Sequence, residues 1–492
     1  MEKYIISIDQ GTTSCRTILF NSKGSIVDQE QQEFNQILPK KGWVEHDPIE
    51  IWETQLQTLE KLLEKNNLTH LQIESIGITN QRETTVLWDR KTGKPVYNAI
   101  VWQDNRTIEF CEDLKSKNKE SLIKTKTGLV LDSYFSGSKI NWILKNIPET
   151  KNLIENDQLL FGTIDTWLIW NLTKGEIHAT DVSNASRTLI YNINDLSWDN
   201  ELLEMFEIPK SILPKVKESS DNYGSWNWNG TDIPIHGVAG DQQAALFGQC
   251  CFNSGMVKNT YGTGCFMLMN TGENPVYSQN GLLTTIAWSL NGKVQYALEG
   301  SVFIAGAAVQ WLRDSLQIIN SAQETEELAK KSGDDDVIFV PAFSGLGAPY
   351  WNMQSKGAIF GLTRDTGINE ICKATLESLA FQSRDVILAM EKDANMKLNS
   401  LAVDGGACEN GYLMQFQADI LQTEVKRPDV IESTALGAAY LAGLYSGFYK
   451  IDTLKNNHKI ESTFISVMDE NTRNMKTNLW KNAINSIISM HN

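Results

Sequence analysis

Residues 4–24 read Tyr-Ile-Ile-Ser-Ile-Asp-Gln-Gly-Thr-Thr-Ser-Cys-Arg-Thr-Ile-Leu-Phe-Asn-Ser-Lys-Gly. Tyr4 to Ile8 is an apolar run rich in β-branched residues, and Thr17 to Phe20 is another, so the stretch predicts strand, polar turn, strand, turn. Asp9 ends the first strand, Gly11 frees the backbone, Thr12, Thr13 and Ser14 supply hydroxyls, and Arg16 opens the second strand. Such a turn offers N–H groups and hydroxyls to phosphate oxygens, and Asp9 can hold a cation or its water. The same residues also suit an ordinary hairpin that uses Gly and Thr for turn chemistry. The rest of the chain has to decide.

Further along, Ser25 to Gln32 can add a third antiparallel strand. Asp47-Pro48-Ile49-Glu50 reads as a helix start, with a capping Asp, Pro in the first turn and Glu completing a capping box. Ile51, Trp52, Leu56, Leu59, Leu62 and Leu63 then recur at helical spacing. A strand over 73–79 leads into Asn80-Gln-Arg-Glu-Thr-Thr85, and strand resumes at Val86–Trp88. A polar, doubly charged hexapeptide between apolar strands could be a solvated hairpin tip, but it lacks the Gly and Pro of a turn. Residues 96–102 read as extended, with Asp104 capping the next helix. Tyr134–Asn146 passes from loop to helix, Phe161–Leu172 reads as a buried helix, and Ser225–Thr231 as a surface loop.

A short strand ends at Gly240-Asp241 with a small-residue helix behind it, the expected lobe boundary. Val257–Gly272 then echoes the opening: strand, Gly262-Thr263-Gly264 turn, strand, Gly turn. Two such hairpins in two similar lobes imply a cleft between them, dividing the chain into 1–245 and 246–492. In the second lobe a helix is expected over Phe303–Leu312, carrying Gly306 and Gln310. Leu401–Asp404 reads as a strand, followed by Gly405-Gly406 and a helix from about Glu409, where a backbone can approach a flat ligand closely. Ser433–Ser446 is a small-residue helix suited to close packing. The tail beyond about 450 is polar and carries no signal.

Composition narrows the function classes. A chain of 492 residues with 41% apolar and 21% charged residues has ample core for two large lobes. Its net charge of −16 argues against nucleic acid or an anionic membrane as partner, yet leaves room for a local phosphate site. Seven Cys without a CxxC pair fit reduced thiols, and six His never fall at ligand spacing. With no secretory signal and no long apolar run, the expectation is a cytoplasmic protein without a membrane span. P-loop, protein-kinase and GxSxG signatures are all missing. An ATP user without a P-loop must hold its phosphates another way, and two facing Gly/Thr hairpins would do so.

Taken together, the motifs resemble the sugar-kinase family that shares the actin and Hsp70 ATPase core, and within it the members that act on glycerol. The resemblance rests on Asp9–Ser14, Asn80–Thr85, Tyr134–Asn146, Tyr261-Gly-Thr-Gly-Cys-Phe266 and Val403-Asp-Gly-Gly-Ala407. It also rests on Gly357-Ala-Ile-Phe-Gly-Leu362 continuing through Ala374-Thr-Leu-Glu377. These matches run from residue 4 to about 445. The resemblance implies an α/β fold of two actin-like (ribonuclease H-like) ATPase lobes, with mixed sheets flanked by helices and an interlobe cleft.

It also implies Mg²⁺- and ATP-dependent phosphorylation of glycerol to sn-glycerol 3-phosphate. Asp241 would be the general base. Asp9, with Asp241, would hold Mg²⁺ through water, while Thr12, Thr13, Ser14 and Arg16 hold phosphates. Arg82, Glu83, Tyr134, Asp241 and Gln242 would bind the hydroxyls, with Trp102 and Phe266 as the apolar wall. Thr263, Gly306, Gln310, Gly406, Ala407 and Asn410 would line the nucleotide. A homodimer or homotetramer is implied.

The chain departs from some relatives in the loop before Ile233. Asn229-Gly-Thr-Asp232 has Asp where an Arg would bind a sugar bisphosphate, and residues 221–233 contain no His to be phosphorylated. Both forms of regulation lack their residues here. His236 lies beyond the loop and reads as structural. Two other readings stay open at this stage: a kinase for a longer polyol or a ketose such as xylulose, and a non-catalytic ATP-driven switch.

Overall fold

The structure, a computed structural model, describes residues 2–333 and 336–490. The opening hairpin forms as its sequence dictates. Strand β1 (Tyr4–Gln10) pairs antiparallel with β2 (Ser14–Phe20), which pairs antiparallel with β3 (Ile26–Glu33). Period-two alternation sends β1 side chains to two cores. Ile6 and Ile8 join a cluster with Leu59 and Leu62 of helix α1 (Pro48–Lys65), while Ile5 joins a second cluster on the other face. On the far side of β1 lie β4 (Ile73–Asn80), parallel to it, then β6 (Thr231–Gly240), parallel to β4, and β5 (Ser225–Trp228) at the edge.

A second sheet repeats this plan. Strand β7 (Val257–Tyr261) pairs antiparallel with β8 (Cys265–Gly272), which pairs with β10 (Lys293–Val302), and β9 (Leu283–Leu290) extends that edge. On the other side, β11 (Ser400–Asp404) runs parallel to β7, β12 (Glu424–Pro428) parallel to β11, and β13 (Ile460–Phe464) antiparallel at the edge.

Between the sheets lie helices α4 (Asp241–Gly248) and α8 (Ser433–Ser446), sharing one core with Ile5, Ile18 and Phe20 of the first sheet and Leu268, Trp288 and Ala297 of the second. Small residues allow this. A Cβ on Gly77 would lie 2.2 Å from the Ala438 carbonyl oxygen, and one on Gly437 would lie 1.8 Å from that of Ala244. Glycine is required at both positions by close backbone approach rather than by dihedral angle. The outer face of the second sheet is covered by α5 (Gly306–Asp314), α6 (Ile368–Ala394), α7 (Gly411–Leu421) and α9 (Glu470–Ser489).

Several local expectations are corrected. Asp47 does cap α1 by accepting from Ile49 N, but Glu50 instead accepts from the backbone and side chain of Asn35, so the capping box does not close. Asp104 caps no helix. Its carboxylate accepts from Val44 N and Arg106, and the next helix, α2 (Ile108–Ser116), starts beyond it. Residues 96–102 yield only the two-residue strand Ala99–Ile100. Phe161 lies on a strand (Leu159–Gly162), and helix α3 starts later, spanning Ile164–Leu172. Residues 225–228 form the edge strand β5 instead of a loop, with 229–230 turning it into β6, because Trp226 packs into the core and stacks with Trp228. Residues 303–305 precede α5. The tail is structural: α9 inserts Trp480, Ala483, Ile484 and Ile487 into the second core. All seven cysteines are free and buried. Among the described residues no helix is long and apolar enough to cross a membrane.

Candidate active site

In an open sheet, ligands gather beyond the carboxyl ends of parallel strands. Here β1, β4 and β6 end level with one another, Gln10 opposite Asn80 and Asn80 opposite Gly240. That edge delivers the Gly11 turn, the Gln81-Arg82-Glu83 segment and Asp241 to one place. In the second sheet, β7 ends in Gly262-Thr263-Gly264 and β11 in Gly405-Gly406, with Thr260 opposite Asp404. Gly405 has φ +82°, and a Cβ there would meet the Tyr261 carbonyl oxygen at 2.6 Å.

The hexapeptide Asn80–Thr85 is fully buried and no hairpin tip; Val86–Asp89 pairs with Leu159–Gly162 instead. Its turn is tight, with Thr84 N donating to Arg82 O at 2.7 Å and Glu83 held at φ +62°. The Glu83 carbonyl is fixed by the Ser136 and Thr85 hydroxyls. This geometry turns Arg82 and Glu83 inward side by side.

Arg82 is the hub. Its Nη1 donates to Glu299 Oε2 at 2.5 Å and its Nη2 to Glu299 Oε1 at 3.0 Å. Nη1 also donates to Gln243 Oε1 at 3.2 Å, and Nε lies 3.1 Å from Asp241 Oδ1. Arg187 donates from Nε to Glu83 Oε1 at 2.6 Å and from Nη2 to Glu299 Oε1 at 2.9 Å. Buried charges are stable only when paired in this way. Burial opposes the charge on Glu299, but Arg187 and Arg82 outweigh it and bring its pKa down to about 2. Burial dominates for Glu83 and raises its pKa despite the same two arginines.

Asp241 is the first residue of α4 and keeps 32% of its side-chain surface accessible although it sits deep between the lobes. Desolvation raises its pKa, while Arg82 and Lys258 pull the other way. Gln242 accepts from Lys258, whose Nζ also bonds Thr260 Oγ1 and Phe266 O. Burial lowers the Lys258 pKa to about 8, with Asp404 and Asp241 opposing that shift.

Three aromatic rings stand beside this charge cluster. Trp102 contacts Tyr134 at 5.4 Å and Phe266 at 6.4 Å between centroids, both edge to face. Trp102 Nε1 donates to Thr12 Oγ1 at 3.1 Å, linking the wall to the opening hairpin. The loop bearing Tyr134 is clamped by the buried Lys139, which donates to the carbonyls of Ser133, Tyr134 and Phe135.

On the hairpin, Asp9 and Arg16 stand directly opposite in register, and Arg16 bridges Asp9 and Glu432 at 2.6 Å each. Thr13 is exposed, and Ser14 Oγ accepts from Gln31. In the second lobe the hairpin carbonyls of Gly262 and Thr263 accept from Gly306, Ala305 and Ala307, so Thr263 abuts the start of α5. Gly406 faces open space and Ala407 is half-buried beside it. Gln310 is exposed further along α5. Asn410 caps α7 through Leu413 N and donates to Thr325. Asn410 N also donates to Ala407 O at 3.2 Å, whereas among the described residues no side-chain hydrogen bond ties Gln310 to the rest of the site.

The polyol-type residues are therefore brought into one cluster. Sequence reading passed over Arg187, Gln243, Lys258, Glu299, Glu432 and Lys139. The available signal was a charge inside an apolar run, as in Tyr296-Ala-Leu-Glu-Gly300 and Val257-Lys-Asn-Thr-Tyr261. Among the described residues no three His, Cys, Asp or Glu side chains form a preformed metal cage. Isolated carboxylates suit Mg²⁺, which keeps several waters and takes the rest of its ligands from phosphates.

Residues 4–248 match the FGGY family of carbohydrate kinases, N-terminal domain, and residues 257–445 match its C-terminal domain. A glycerol kinase of Desulforamulus reducens is 59% identical over 488 residues, covering 98% of this chain and 97% of its own. One from Alkaliphilus metalliredigens is 57% identical over 490 residues, covering 99% and 98%. Among solved structures, Plasmodium falciparum glycerol kinase with ADP superposes with a TM-score of 0.93 at 40% identity, covering 99% of this chain and 98% of that one.

Proposed function

The chain belongs to the FGGY family of carbohydrate kinases and, within it, to the glycerol kinases, and from that premise we propose how its residues divide the work of the reaction. The enzyme moves the terminal phosphoryl group of ATP to glycerol, giving sn-glycerol 3-phosphate and ADP, the opening step of glycerol catabolism. Its fold is the two-lobed one shared with the actin-like ATPases.

Glycerol binds against Trp102 and Phe266 with its carbon chain. Its hydroxyls meet the free edge of Arg82, the Glu83 carboxylate, Tyr134, Gln242 and Asp241. Asp241 takes the proton of the attacking hydroxyl as the oxygen approaches phosphorus. Positioning and charge compensation supply most of the remaining catalysis. Thr12, Thr13 and Ser14 donate to phosphate oxygens, and Arg16 turns from Asp9 and Glu432 to offset charge on the transferring group. Thr263, Gly306, Gln310, Gly406, Ala407 and Asn410 line the nucleotide from the second lobe. The first lobe, 1–245, thus carries the polyol and phosphate groups and the second, 246–492, the nucleotide.

Asp9 and Asp241 would hold Mg²⁺, which when bound neutralises phosphate charge. Closure of the lobes excludes water that would compete with glycerol. The working enzyme is a cytoplasmic homodimer or homotetramer.

The observation that carries this reading is Asp241 Oδ1 at 3.1 Å from Arg82 Nε, accessible from the cleft, beside Glu83 and the Trp102 wall. Burial raises the Asp241 pKa and suits it to accept a proton, while the adjacent Arg82 cation offsets part of that shift in favour of the ionised form. ADP release should be measured across glycerol, dihydroxyacetone, glyceraldehyde, erythritol and xylulose. Glycerol should give the highest kcat/KM, and a preference for xylulose would contradict the site assigned here.

A further inference from the structure

Two fully buried charges, Glu299 and Arg187, have no part in the chemistry just described. Glu299 lies mid-strand on β10, opposite Leu268 and Leu283, in the second sheet. Its partners Arg82 and Arg187 come from 217 and 112 residues away, in the first half of the chain. A carboxylate in the interior of a sheet is a poor device for stability, because an apolar side chain of similar size would avoid its desolvation. What it does provide is direction.

Arg82 has five N–H groups. Glu299 takes one from each Nη, and Gln243 takes the second on Nη1. Only Nε, beside Asp241, and one Nη2 hydrogen remain. We propose that Glu299 is a positioning residue for the polyol, fixing the Arg82 guanidinium so that this remaining edge faces glycerol and the base. This rests on the roles given to Arg82 and Asp241 above.

Arg187 completes the device by joining Glu299 to Glu83, so both substrate-binding side chains hang from one carboxylate. Its guanidinium also lies 5.3 Å from the Phe135 ring and 6.0 Å from the Tyr134 ring, against the aromatic wall. Glu299 further divides the charge of Arg82, since the Glu299 contact is shorter than the Asp241 contact. Besides Arg82, the charged groups acting on Asp241 include Lys258, and Glu83, Arg187 and Asp404 complete the neighbourhood.

The test uses the full chain with Glu299→Gln and Glu299→Asp, measuring kcat, KM, glycerol affinity by calorimetry without nucleotide, and thermal melting. Glu299→Gln should raise glycerol KM and Kd about tenfold or more and leave ATP KM within about twofold. Glu299→Asp, which keeps the charge, should recover part of each change. A folded Glu299→Gln protein with parental glycerol KM and Kd would overturn the proposal, since a purely structural residue changes melting alone. If Glu299→Gln does not fold, Glu299→Asp decides: glycerol KM raised about threefold or more supports the role, and a parental value overturns it. Asp241→Asn is assayed alongside. Near-normal turnover by that variant removes the base on which the proposal rests, whereas an inactive Asp241→Asn beside a parental Glu299→Gln removes only the role of Glu299.

Discussion

Three carboxylates stand around Arg82, and their distances rank their claims on it: Glu299 at 2.5 Å, Asp241 at 3.1 Å and Glu83 at 3.9 Å. A lysine in its place has one point charge and cannot serve a fork on one side and a base on the other. Arg82→Lys should therefore raise glycerol KM by at least about tenfold while ATP KM stays near parental, as initial rates at varied glycerol would show. Desolvation lifts the Asp241 pKa above its ordinary 3.8, so kcat/KM should fall with pH through a limb lying above that value, and Asp241→Asn should erase the limb. Arg82, Glu83 and Asp241 were legible in the sequence because local context marks them: a polar run without turn residues, and an acid at a strand end. Glu299, Arg187 and Lys258 were not. Each is a single charge in an ordinary run, and its meaning comes from partners in other parts of the chain.

Helix α8 shows what small residues do in this fold. Gly437 faces the Ala244 carbonyl across the α4–α8 crossing, where no Cβ fits. Gly437→Ala should cost about 1–3 kcal/mol or more and lower the melting temperature, because backbone rather than a flexible side chain must move. In α9, Trp480 lies flat against Phe381 at 5.1 Å and donates to Asp385 Oδ2 at 2.7 Å. Trp480→Ala should destabilise by about 3–5 kcal/mol, read by chemical denaturation. The small-residue pattern of α8 and the Asp-Pro start of α1 were readable because they are local signals. The strand Ser225–Trp228 was not, since it is a four-residue Ser-Trp-Asn-Trp run leading straight into Asn229-Gly230, and only the burial of Trp226 against a distant core makes it a strand. The tail was misread for the same reason, its apolar residues being spaced among charges.

The whole molecule is two sheets of matching plan with α4 and α8 between them, and the charge cluster spans the gap from β10 to the ends of β4 and β6. Cross-lobe pairing ties stability to pH. Because the folded-state pKa of Glu299, about 2, lies below its ordinary 4.5, the unfolded chain binds that proton more readily. Its contribution is complete above about pH 4.5 and disappears as pH falls toward 2. Melting temperatures across that window should fall more steeply for the parent than for Glu299→Gln. The duplication was legible from the two Gly/Thr hairpins alone, whereas the helices between the sheets were not, because α8 lies almost 200 residues beyond the α4 it packs against.

The proposed reaction turns on Asp241 as the group that takes the proton from glycerol. The direct measurement is single-turnover phosphoryl transfer by Asp241→Asn, with glycerol and ATP affinities determined by calorimetry on the same protein. The prediction is a rate lower by about 100- to 10,000-fold, with both ligands still bound within a few-fold of parental affinity. Near-parental transfer by that variant would contradict it.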